Sequence, residues 1–389
     1  MIPVGIPWLP GNERKYVHDA IDTNWISGVG AYVKKFEESF AKFCDVKHAI
    51  SCSSGYAALH LACAALGLKK GDEVIVPTFT MAACTNSIIM TGAKPVLVDS
   101  EPETYNIDPN KIEEKITPNT KAIMIVHIYG HPCDMDRIME IVEKHNLRLI
   151  EDCAEAHGAE YKGKKVGGFG DIGCFSFYST KIMTTGEGGM CTTNDPTLDK
   201  EIRALKEHYL GVPPTGTYTK NASDKFIHKK VGFNYRMTNL QAAIGVAQVE
   251  NAEMLVDAKI NLGKRYNQQL KDVKGLILPK EKQGCKNVYW MYGVVLGDEI
   301  KMDNKQVMEK LMERGIETRI FFLPMHKQPV YYNKTVENSP DCSGDFPVSE
   351  KLSRRGFYLP SSSDLTDEEI ELVCYKLKEL LDECYEKDK

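Results

Sequence analysis

A single lysine, Lys181, lies between an aromatic segment and a glycine-rich turn. Residues 175–190 read FSFYSTKIMTTGEGGM, so most of its neighbours are apolar or small. A lysine in such surroundings is expected to be partly desolvated, which lowers its pKa and makes the amine available as a nucleophile. A lysine that lies on the surface by chance is the alternative. The flanking residues favour the reactive lysine.

An acidic pair follows a short apolar run. Residues 147–150 read LRLI, and Glu151 and Asp152 come directly after them. If this run is a buried strand, Asp152 lies at its carboxyl end, the edge at which open α/β sheets bind their ligands. A carboxylate at that position can equally cap the helix that follows. The residues alone leave both interpretations open.

A small polar turn precedes an apolar helical pattern in residues 51–61, SCSSGYAALHL. The first backbone N–H groups of a helix have no intrahelical partners, and they can bind a phosphate. A polar N-cap before an ordinary buried helix is the commoner explanation of such a turn. Taken alone, this segment is therefore a weak indication of a phosphate site.

Together the three segments contain the parts that a pyridoxal phosphate site requires. The lysine would carry the cofactor as a Schiff base, and backbone amides would bind its phosphate. The aspartate would keep the pyridine nitrogen protonated, so that the ring can accept electrons. The combination predicts chemistry that neither the lysine nor the aspartate indicates alone.

The segments that must position these residues alternate between apolar runs and helical patterns. Continuous apolar runs are typical of strands that are buried on both faces. One amphipathic helix is predicted over residues 134–146, between two of the runs. This rhythm predicts an α/β fold with a mainly parallel sheet. The predicted strands are residues 73–76, 95–98, 122–126 and 147–150.

The last 152 residues of the chain, from residue 238 onward, show a different pattern. A long helical stretch covers residues 238–270, and a capping box at Thr366–Glu369 (TDEE) announces a last helix. Between them the pattern predicts strands over residues 288–296 and 316–321 and a helix over 304–314.

The length of 389 residues indicates two domains. We expect a boundary within the long helix, which gives a large domain over residues 1–245 and a smaller one over residues 246–389.

Composition excludes several classes of protein. Lysine and arginine number 49 against 54 acidic residues, so there is no basic footprint for nucleic acid. No apolar run is long enough for a membrane span, and the first residues do not resemble a signal peptide. The closest two cysteines are Cys44 and Cys52, so no metal-binding spacing is present. We expect a cytoplasmic protein with reduced cysteines and no metal.

Stretches along nearly the whole chain resemble the DegT/DnrJ/EryC1/StrS family of sugar-nucleotide aminotransferases. The resemblance implies a fold-type-I pyridoxal phosphate-dependent aminotransferase. Its large domain would contain a mostly parallel mixed sheet, and its smaller C-terminal domain would be α+β. Besides the segments described above, the matching stretches are residues 25–30 (WISGVG), 71–77 (GDEVIVP), 126–130 (VHIYG), 231–237 (VGFNYRM), 290–292 (WMY) and 323–326 (LPMH).

The activity implied is transfer of an amino group, with glutamate as the expected donor, to C4 of a nucleotide-linked 4-keto-6-deoxy sugar. The expected substrate is GDP-4-keto-6-deoxy-D-mannose, and a UDP- or dTDP-linked sugar is the alternative. A related branch that removes the C3 oxygen carries histidine in place of Lys181, so the lysine argues against it. A pyridoxal phosphate-binding regulator without turnover is the alternative from another class.

The resemblance also implies roles for individual residues. Lys181 would bond the cofactor and shuttle the proton, Asp152 would face the pyridine nitrogen, and Glu155 would face the 3-hydroxyl. The phosphate would be bound by Ser176 and by the backbone of Gly55 and Tyr56. Asn234 would reach the phosphate in a neighbouring subunit, which implies a homodimer with shared sites.

Three further residues are expected on the sugar-nucleotide side, namely Trp25, Ser27 and His326, although a structural histidine is nearly as good an explanation of His326. The chain departs from the family pattern twice. Tyr56 stands where the family usually has threonine, so only its backbone can donate to the phosphate. Met81 stands where an aromatic residue usually stacks on the cofactor ring, and a thioether can still cover that face.

Overall fold

The computed structural model describes residues 1–209, 228 and 230–386, with side chains up to residue 382. Its strands are numbered in chain order. They are β1 (His48–Cys52), β2 (Glu73–Pro77), β3 (Lys94–Val98), β4 (Thr120–Val126), β5 (Arg148–Asp152), β6 (Glu160–Tyr161), β7 (Lys164–Lys165), β8 (Ile172–Ser176), β9 (Gly189–Thr193), β10 (Leu276–Ile277), β11 (Cys285–Lys286), β12 (Gly293–Leu296), β13 (Arg319–Ile320) and β14 (Gly356–Tyr358).

Seven of these strands form the central sheet, in the spatial order β1-β9-β8-β5-β4-β2-β3. The neighbours from β3 to β8 pair in parallel, whereas β9 is antiparallel to both β8 and β1. The sheet is therefore mixed and mostly parallel, and it confirms the α/β fold class. The four predicted strands of this region are all present.

Strand β4 shows why the central strands are continuous apolar runs. Ala122, Met124 and Val126 pack into one hydrophobic core, and Ile123 and Ile125 pack into another on the opposite face. A strand that is buried on both faces has no polar position to fill.

The helices of the described residues are also numbered in chain order. They are α1 (Glu13–Asp22), α2 (Ala31–Cys44), α3 (Gly55–Ala65), α4 (Ala82–Met90), α5 (Met135–His145), α6 (Pro196–Lys206), α7 (Asn239–Glu250), α8 (Ala252–Leu270), α9 (Asn304–Glu313), α10 (Pro329–Tyr332), α11 (Pro347–Arg355) and α12 (Asp367–Glu386).

Two predicted helix starts are confirmed by their caps. The Asp134 carboxylate accepts the Arg137 N–H before α5. The predicted capping box precedes α12, because Thr366 accepts the Glu369 N–H at 3.2 Å while the Glu369 carboxylate accepts the Thr366 N–H at 3.0 Å. Each bond satisfies an N–H group that the helix itself cannot.

The long helix predicted over residues 238–270 is wrong as a single element. Asn251 leaves the helical conformation (φ −113°, ψ 15°), and the chain forms α7 and α8 on either side of it. The two helices have different partners, since α7 packs on α1 and α2 whereas α8 packs on α12.

Two predicted strands are much shorter than the sequence pattern indicated. Residues 288–296 contain only β12, because Tyr289 has a left-handed backbone (φ 45°) that a strand cannot accommodate. Residues 316–321 contain only β13. In each segment an aromatic residue outside the strand packs on the Tyr129 ring, namely Trp290 in the first and Phe321 in the second.

The C-terminal part has a small antiparallel sheet, in the order β10-β12-β14-β13, with its own hydrophobic core. Residue Ile2 from the start of the chain packs into this core as well. The boundary at residue 245 stays a prediction. Among the described residues, no helix is both long and apolar enough to cross a membrane.

A buried ion cluster joins α2, β1 and α6. The Glu37 carboxylate lies 2.7 Å from Arg203 and 3.2 Å from Lys206, and it accepts both the backbone N–H and the hydroxyl of Ser51 at 2.9 and 2.8 Å. Burial acts to raise the pKa of Glu37, but the two cations and the hydrogen bonds outweigh it and lower the pKa overall.

We expect Glu37→Gln to lower the free energy of unfolding by about 3 kcal/mol, because it removes the carboxylate that pairs with the buried ammonium of Lys206, whereas Arg203 keeps Asp199 as a partner. Urea denaturation at pH 7 measures this loss. Since the pKa of Glu37 is lowered by folding, its contribution is present at neutral pH and is lost as the pH falls. The difference between variant and parent should therefore shrink in acid.

Glu38→Gln is the matched control, because Glu38 is exposed on the same helix and pairs with exposed Lys34 at 3.6 Å. Its effect should stay below about 0.5 kcal/mol. Equal losses for the two variants would contradict the account of the cluster.

Candidate active site

Seven of the residues singled out in the sequence line one cavity of about 340 Å³ at the carboxyl edge of the central sheet. The cavity also receives residues from β13 and β14 of the small sheet. The seven are Gly55, Tyr56, Met81, Asp152, Glu155, Ser176 and Lys181.

Lys181 lies in the turn between β8 and β9, and its side chain is only 11% exposed. Its Nζ is 4.0 Å from Oε1 of Glu155. Burial lowers the pKa of the Lys181 amine, and the nearby carboxylates of Glu155 and Asp152 oppose that shift. The sequence argument for a desolvated lysine is consistent with this position.

Asp152 ends β5, and its carboxylate is held on both oxygens. Oδ1 accepts the Ala154 N–H at 2.9 Å, and Oδ2 accepts the thiol of Cys84 at 3.0 Å. Burial raises the pKa of Asp152, while the Cys84 thiol, the Ala154 N–H and Lys181 act against that rise. A buried carboxylate of this kind is stabilised by a cationic partner.

Glu155 lies one turn beyond the strand and is also buried. Its Oε2 accepts the backbone N–H of Tyr129 at 2.8 Å, and that residue has the left-handed backbone conformation (φ 54°). Burial raises the pKa of Glu155, and the charge of Lys181 opposes the rise. A strained residue beside a buried carboxylate is frequent at functional sites.

The start of α3 lies against the end of β8. Ser54 caps the helix by accepting the Ala57 N–H at 3.1 Å, which leaves the N–H groups of Gly55 and Tyr56 without helical partners. A Cβ on Gly55 would lie 2.6 Å from the Cβ of Ser176. Glycine at this position therefore lets the helix start approach Ser176.

The two departures from the family pattern both line the cavity. The Tyr56 hydroxyl points away to Met90, 2.8 Å from its sulfur, so the side chain of Tyr56 is not directed at the helix start. Met81 precedes α4 and is 57% exposed. Its position at the cavity wall is compatible with contact to a bound ring.

Two residues that contact the core of the site were not singled out from the sequence. Cys84 bonds Asp152, and the Trp290 ring lies under Lys181, with its centroid 3.6 Å from Nζ. Nothing in the pattern around Cys84 distinguishes it from other buried cysteines. The resemblance at residues 290–292 was the available signal for Trp290.

Trp25, Ser27 and Asn234 do not line the Lys181 cavity. Trp25 is 55% exposed and borders a different surface groove. Ser27 and Asn234 are exposed as well. Within the described residues, these three therefore lie apart from the seven that line the cavity.

His326 is buried and its ring nitrogens have partners within the chain. Nδ1 lies 2.7 Å from the Thr78 hydroxyl and Nε2 lies 3.4 Å from a Glu350 oxygen, while the ring stacks on Phe346 at 4.4 Å. It does not line the cavity. This geometry favours the structural explanation of His326.

A second buried cluster lies beside Asp152. Ligand atoms of His127, Glu151 and Cys153 lie within 4.8 Å of one another, a spacing that a metal ion could use. The Glu151 carboxylate, however, already accepts three backbone N–H groups of residues 167–170 at 2.8–2.9 Å, besides facing His127 at 3.3 Å. These bonds explain the cluster as a brace for that turn.

The family model of the DegT/DnrJ/EryC1/StrS aminotransferases matches residues 9–378. The chain belongs to this family. Among curated relatives, it is 45% identical to the GDP-perosamine synthase of Caulobacter vibrioides over 381 residues, which covers 98% of each chain. It is 42% identical to the GDP-perosamine synthase of Escherichia coli O157:H7, covering 97% of this chain and 98% of the relative.

Solved structures of aminotransferases have the same fold. An aminotransferase from Psychrobacter cryohalolentis is 31% identical and superposes with a TM-score of 0.89, covering 98% of this chain and 99% of that one. The aminotransferase TlmJ from Streptoalloteichus hindustanus is 28% identical, with a TM-score of 0.88 and coverage of 98% and 99%.

Membership in this aminotransferase family indicates pyridoxal phosphate as the cofactor, and the cavity fits that group. The free N–H groups at the start of α3 suit a phosphate, and the close approach at Gly55 keeps Ser176 beside them. The buried carboxylate of Asp152 suits a cationic ring nitrogen, and the buried amine of Lys181 suits an aldehyde.

We expect Gly55→Ala to weaken cofactor binding at least about tenfold, because the new methyl group would push Ser176 away from the helix start. Titration of cofactor-free protein with pyridoxamine phosphate measures the dissociation constant without any bond to Lys181. Gly5→Ala is the control, since its Cβ would meet only Met291 at 3.5 Å. An unchanged dissociation constant for Gly55→Ala would show that the close contact between the start of α3 and Ser176 is not needed for cofactor binding.

Proposed function

We propose that this aminotransferase aminates C4 of GDP-4-keto-6-deoxy-D-mannose, with glutamate as the amino donor. The observation that carries the proposal is the buried amine of Lys181, which lies beside Glu155 in the same cavity as Asp152 and the open start of α3. Support for the substrate comes from the two relatives named GDP-perosamine synthase, at 45% and 42% identity over nearly the whole chain.

Lys181 has two tasks in this proposal, bonding the cofactor and moving a proton. When bound, pyridoxal phosphate supplies an electron sink that makes the C–H bond next to the transferred nitrogen acidic. The Lys181 amine takes up that proton and returns it to the cofactor side. Because burial lowers its pKa, a larger share of the amine is neutral and able to accept the proton.

Asp152 and Glu155 serve as fixed partners of the ring. The Asp152 carboxylate keeps a proton on the pyridine nitrogen, and its bonds to Ala154 and Cys84 hold it in one orientation. The carboxyl group of Glu155 is oriented by the Tyr129 N–H and bonds the 3-hydroxyl. Both carboxyl groups act through hydrogen bonds and charge alone, and neither forms a covalent bond.

Phosphate binding is assigned to Ser176 and to the backbone N–H groups of Gly55 and Tyr56. A helix start offers oriented N–H groups and a positive partial charge, both of which suit a dianion. Met81 covers the face of the ring that an aromatic residue covers in most of the family. A thioether provides that contact with less rigidity.

Trp25, Ser27 and Asn234 are assigned to the site of a second subunit. They are exposed and lie outside the cavity of their own protomer, which is what residues serving a neighbour's site require. The proposal thus includes a homodimer with shared active sites. We also assign the protein to the cytoplasm, because most of the free cysteines among the described residues are buried thiols, which suit a reducing compartment.

A panel of GDP-, UDP- and dTDP-linked 4-keto-6-deoxyhexoses, each offered with glutamate, tests the substrate. A site that bonds one base rejects others because its buried polar groups are left unpaired. We expect kcat/KM for GDP-4-keto-6-deoxy-D-mannose to exceed the values for the UDP- and dTDP-linked 4-keto-6-deoxyglucose compounds by at least about a hundredfold, or roughly 2.7 kcal/mol.

A higher value for either glucose-configured substrate would refute the GDP assignment and leave the aminotransferase intact. Alanine and aspartate in place of glutamate test the donor in the same assay. Glutamate alone, without sugar, distinguishes the non-catalytic alternative, because a regulator would leave the absorbance spectrum of the bound cofactor unchanged.

Subunit mixing tests the shared sites. Lys181→Ala should be inactive, and Asn234→Ala should lose cofactor from the neighbouring site. In a mixed dimer both lesions fall in one site and the other is complete. We therefore expect activity from about a quarter of the sites, since half of randomly paired dimers are mixed. No recovery, with exchange verified by native mass spectrometry, would count against shared sites.

A further inference from the structure

The amine of Lys181 rests on an aromatic ring from the C-terminal part of the chain. Its Nζ lies 3.6 Å from the centroid of the Trp290 ring. Trp290 is 7% exposed, so the ring and the amine form a contact that is almost shielded from water. Cation–π contacts of this kind gain strength when they are desolvated.

Trp290 also fixes the backbone that carries the lysine. Its indole N–H donates to the carbonyl of Thr180 at 2.7 Å. Thr180 directly precedes Lys181, so this bond acts on the peptide unit from which the lysine side chain departs. One side chain therefore constrains both ends of the lysine.

Trp290 is itself held by a buried lysine that the proposed mechanism does not use. Nζ of Lys259, on α8, donates to the carbonyl of Trp290 at 2.9 Å and to the carbonyl of Ser361. Lys259 is 3% exposed, and burial lowers its pKa to about 7. Whether charged or neutral, an amine in this position still has protons to donate to the Trp290 carbonyl.

The backbone around Trp290 does not pair as a strand but packs on the turn at Gly130. Tyr289 has the left-handed backbone conformation, and Val288 donates to the carbonyl of Gly130 at 3.1 Å. A Cβ on Gly130 would lie 3.1 Å from the backbone nitrogen of Trp290. The turn that follows β4 thus packs directly against the segment.

We propose that Trp290 is a positioning residue for Lys181, and that Lys259 in turn positions Trp290. The series runs from Lys259 through the Trp290 carbonyl to the indole, and from the indole to Thr180 and Lys181. It predicts that the reactive amine is oriented from the C-terminal part of the chain, before any substrate is bound. The inference rests on the proposed function in that Lys181 is the residue that bonds the cofactor.

The test compares two cofactor forms on cofactor-free protein of full length. Pyridoxal phosphate is captured covalently, since the Lys181 nitrogen forms a double bond with the aldehyde carbon and one water leaves. Pyridoxamine phosphate has no aldehyde and binds without that bond. Orientation of the amine affects the capture rate alone, whereas general damage to the cavity affects both forms.

Trp290→Phe keeps a ring and removes the indole N–H. We expect it to slow capture of pyridoxal phosphate about tenfold, the upper effect of one lost hydrogen bond, and to change the dissociation constant of pyridoxamine phosphate less than about twofold. Stopped-flow absorbance gives the capture rate, and fluorescence titration gives the dissociation constant.

The Lys259 variants test the second link without altering the ring. Lys259→Met should slow capture by about threefold or more, and Lys259→Arg should restore most of the rate because it retains N–H donors. Tyr266→Phe is the matched control. It removes a side-chain bond to the Pro360 carbonyl (2.9 Å) from the same helix, keeps the ring that stacks on Tyr292, and does not alter either hydrogen bond of Trp290, so capture should be unchanged.

Capture at the parent rate by Trp290→Phe would overturn the proposal. An equal loss of capture rate and of pyridoxamine phosphate affinity would overturn it too, since Trp290 would then only support the cavity. If Trp290→Phe does not fold, the two Lys259 variants decide. Slow capture by Lys259→Met with normal capture by Lys259→Arg supports the proposal, and normal capture by both variants rejects it. No sugar nucleotide or donor is used, and covalent capture by Lys181→Ala would instead refute the role of the lysine.

Discussion

The central constraint in this molecule is the burial of one amine beside two carboxyl groups. Lys181, Asp152 and Glu155 line one cavity with their side chains largely buried, and burial works against the charged form of each. If all three were ionised, the group would carry one excess negative charge in a medium of low polarisability. A cationic ring nitrogen beside Asp152 would remove that excess. The protein is thus stabilised by the same charge that the proposed chemistry needs.

The central sheet makes this arrangement rigid. The Asp152 carbonyl accepts the His127 N–H at 3.1 Å, and the next residue, Cys153, donates to the Cys174 carbonyl at 2.8 Å. The end of β5 is therefore tied to both neighbouring strands at the point where the carboxylate leaves the backbone. The residues that complete the site come from turns on that edge. A rigid sheet thus holds the carboxylate in a fixed position, while the turns at its edge are free to carry the other residues of the site.

Much of this was predictable from sequence, and the failures have physical causes. Four strands of the central sheet, β2 to β5, were predicted because burial on both faces leaves a continuous apolar run, as in residues 122–126 of β4. Residues 288–292 were mistaken for strand, since their apolar side chains face neighbouring rings in an irregular segment. The break at Asn251 follows from a change of packing partner, which is a tertiary effect. Cys84 could not be found, because its importance lies only in its 3.0 Å contact with Asp152.

The two kinds of charge in the cavity come from different parts of the chain, and in the proposed site that difference would orient the cofactor. The start of α3 presents a positive partial charge from backbone N–H groups, so it attracts a phosphate without a basic side chain. Asp152 presents a side-chain carboxylate on the cavity wall, which in the proposed site would attract the cationic ring nitrogen. A lysine at the helix start would bind phosphate more strongly, but it would also bring a flexible cation close to Asp152 and Glu155. Such a cation would compete with both Lys181 and the ring nitrogen for the two carboxylates. In the proposed site, backbone recognition of the phosphate would therefore leave the acidic pair available to the two groups on which the proposed reaction depends.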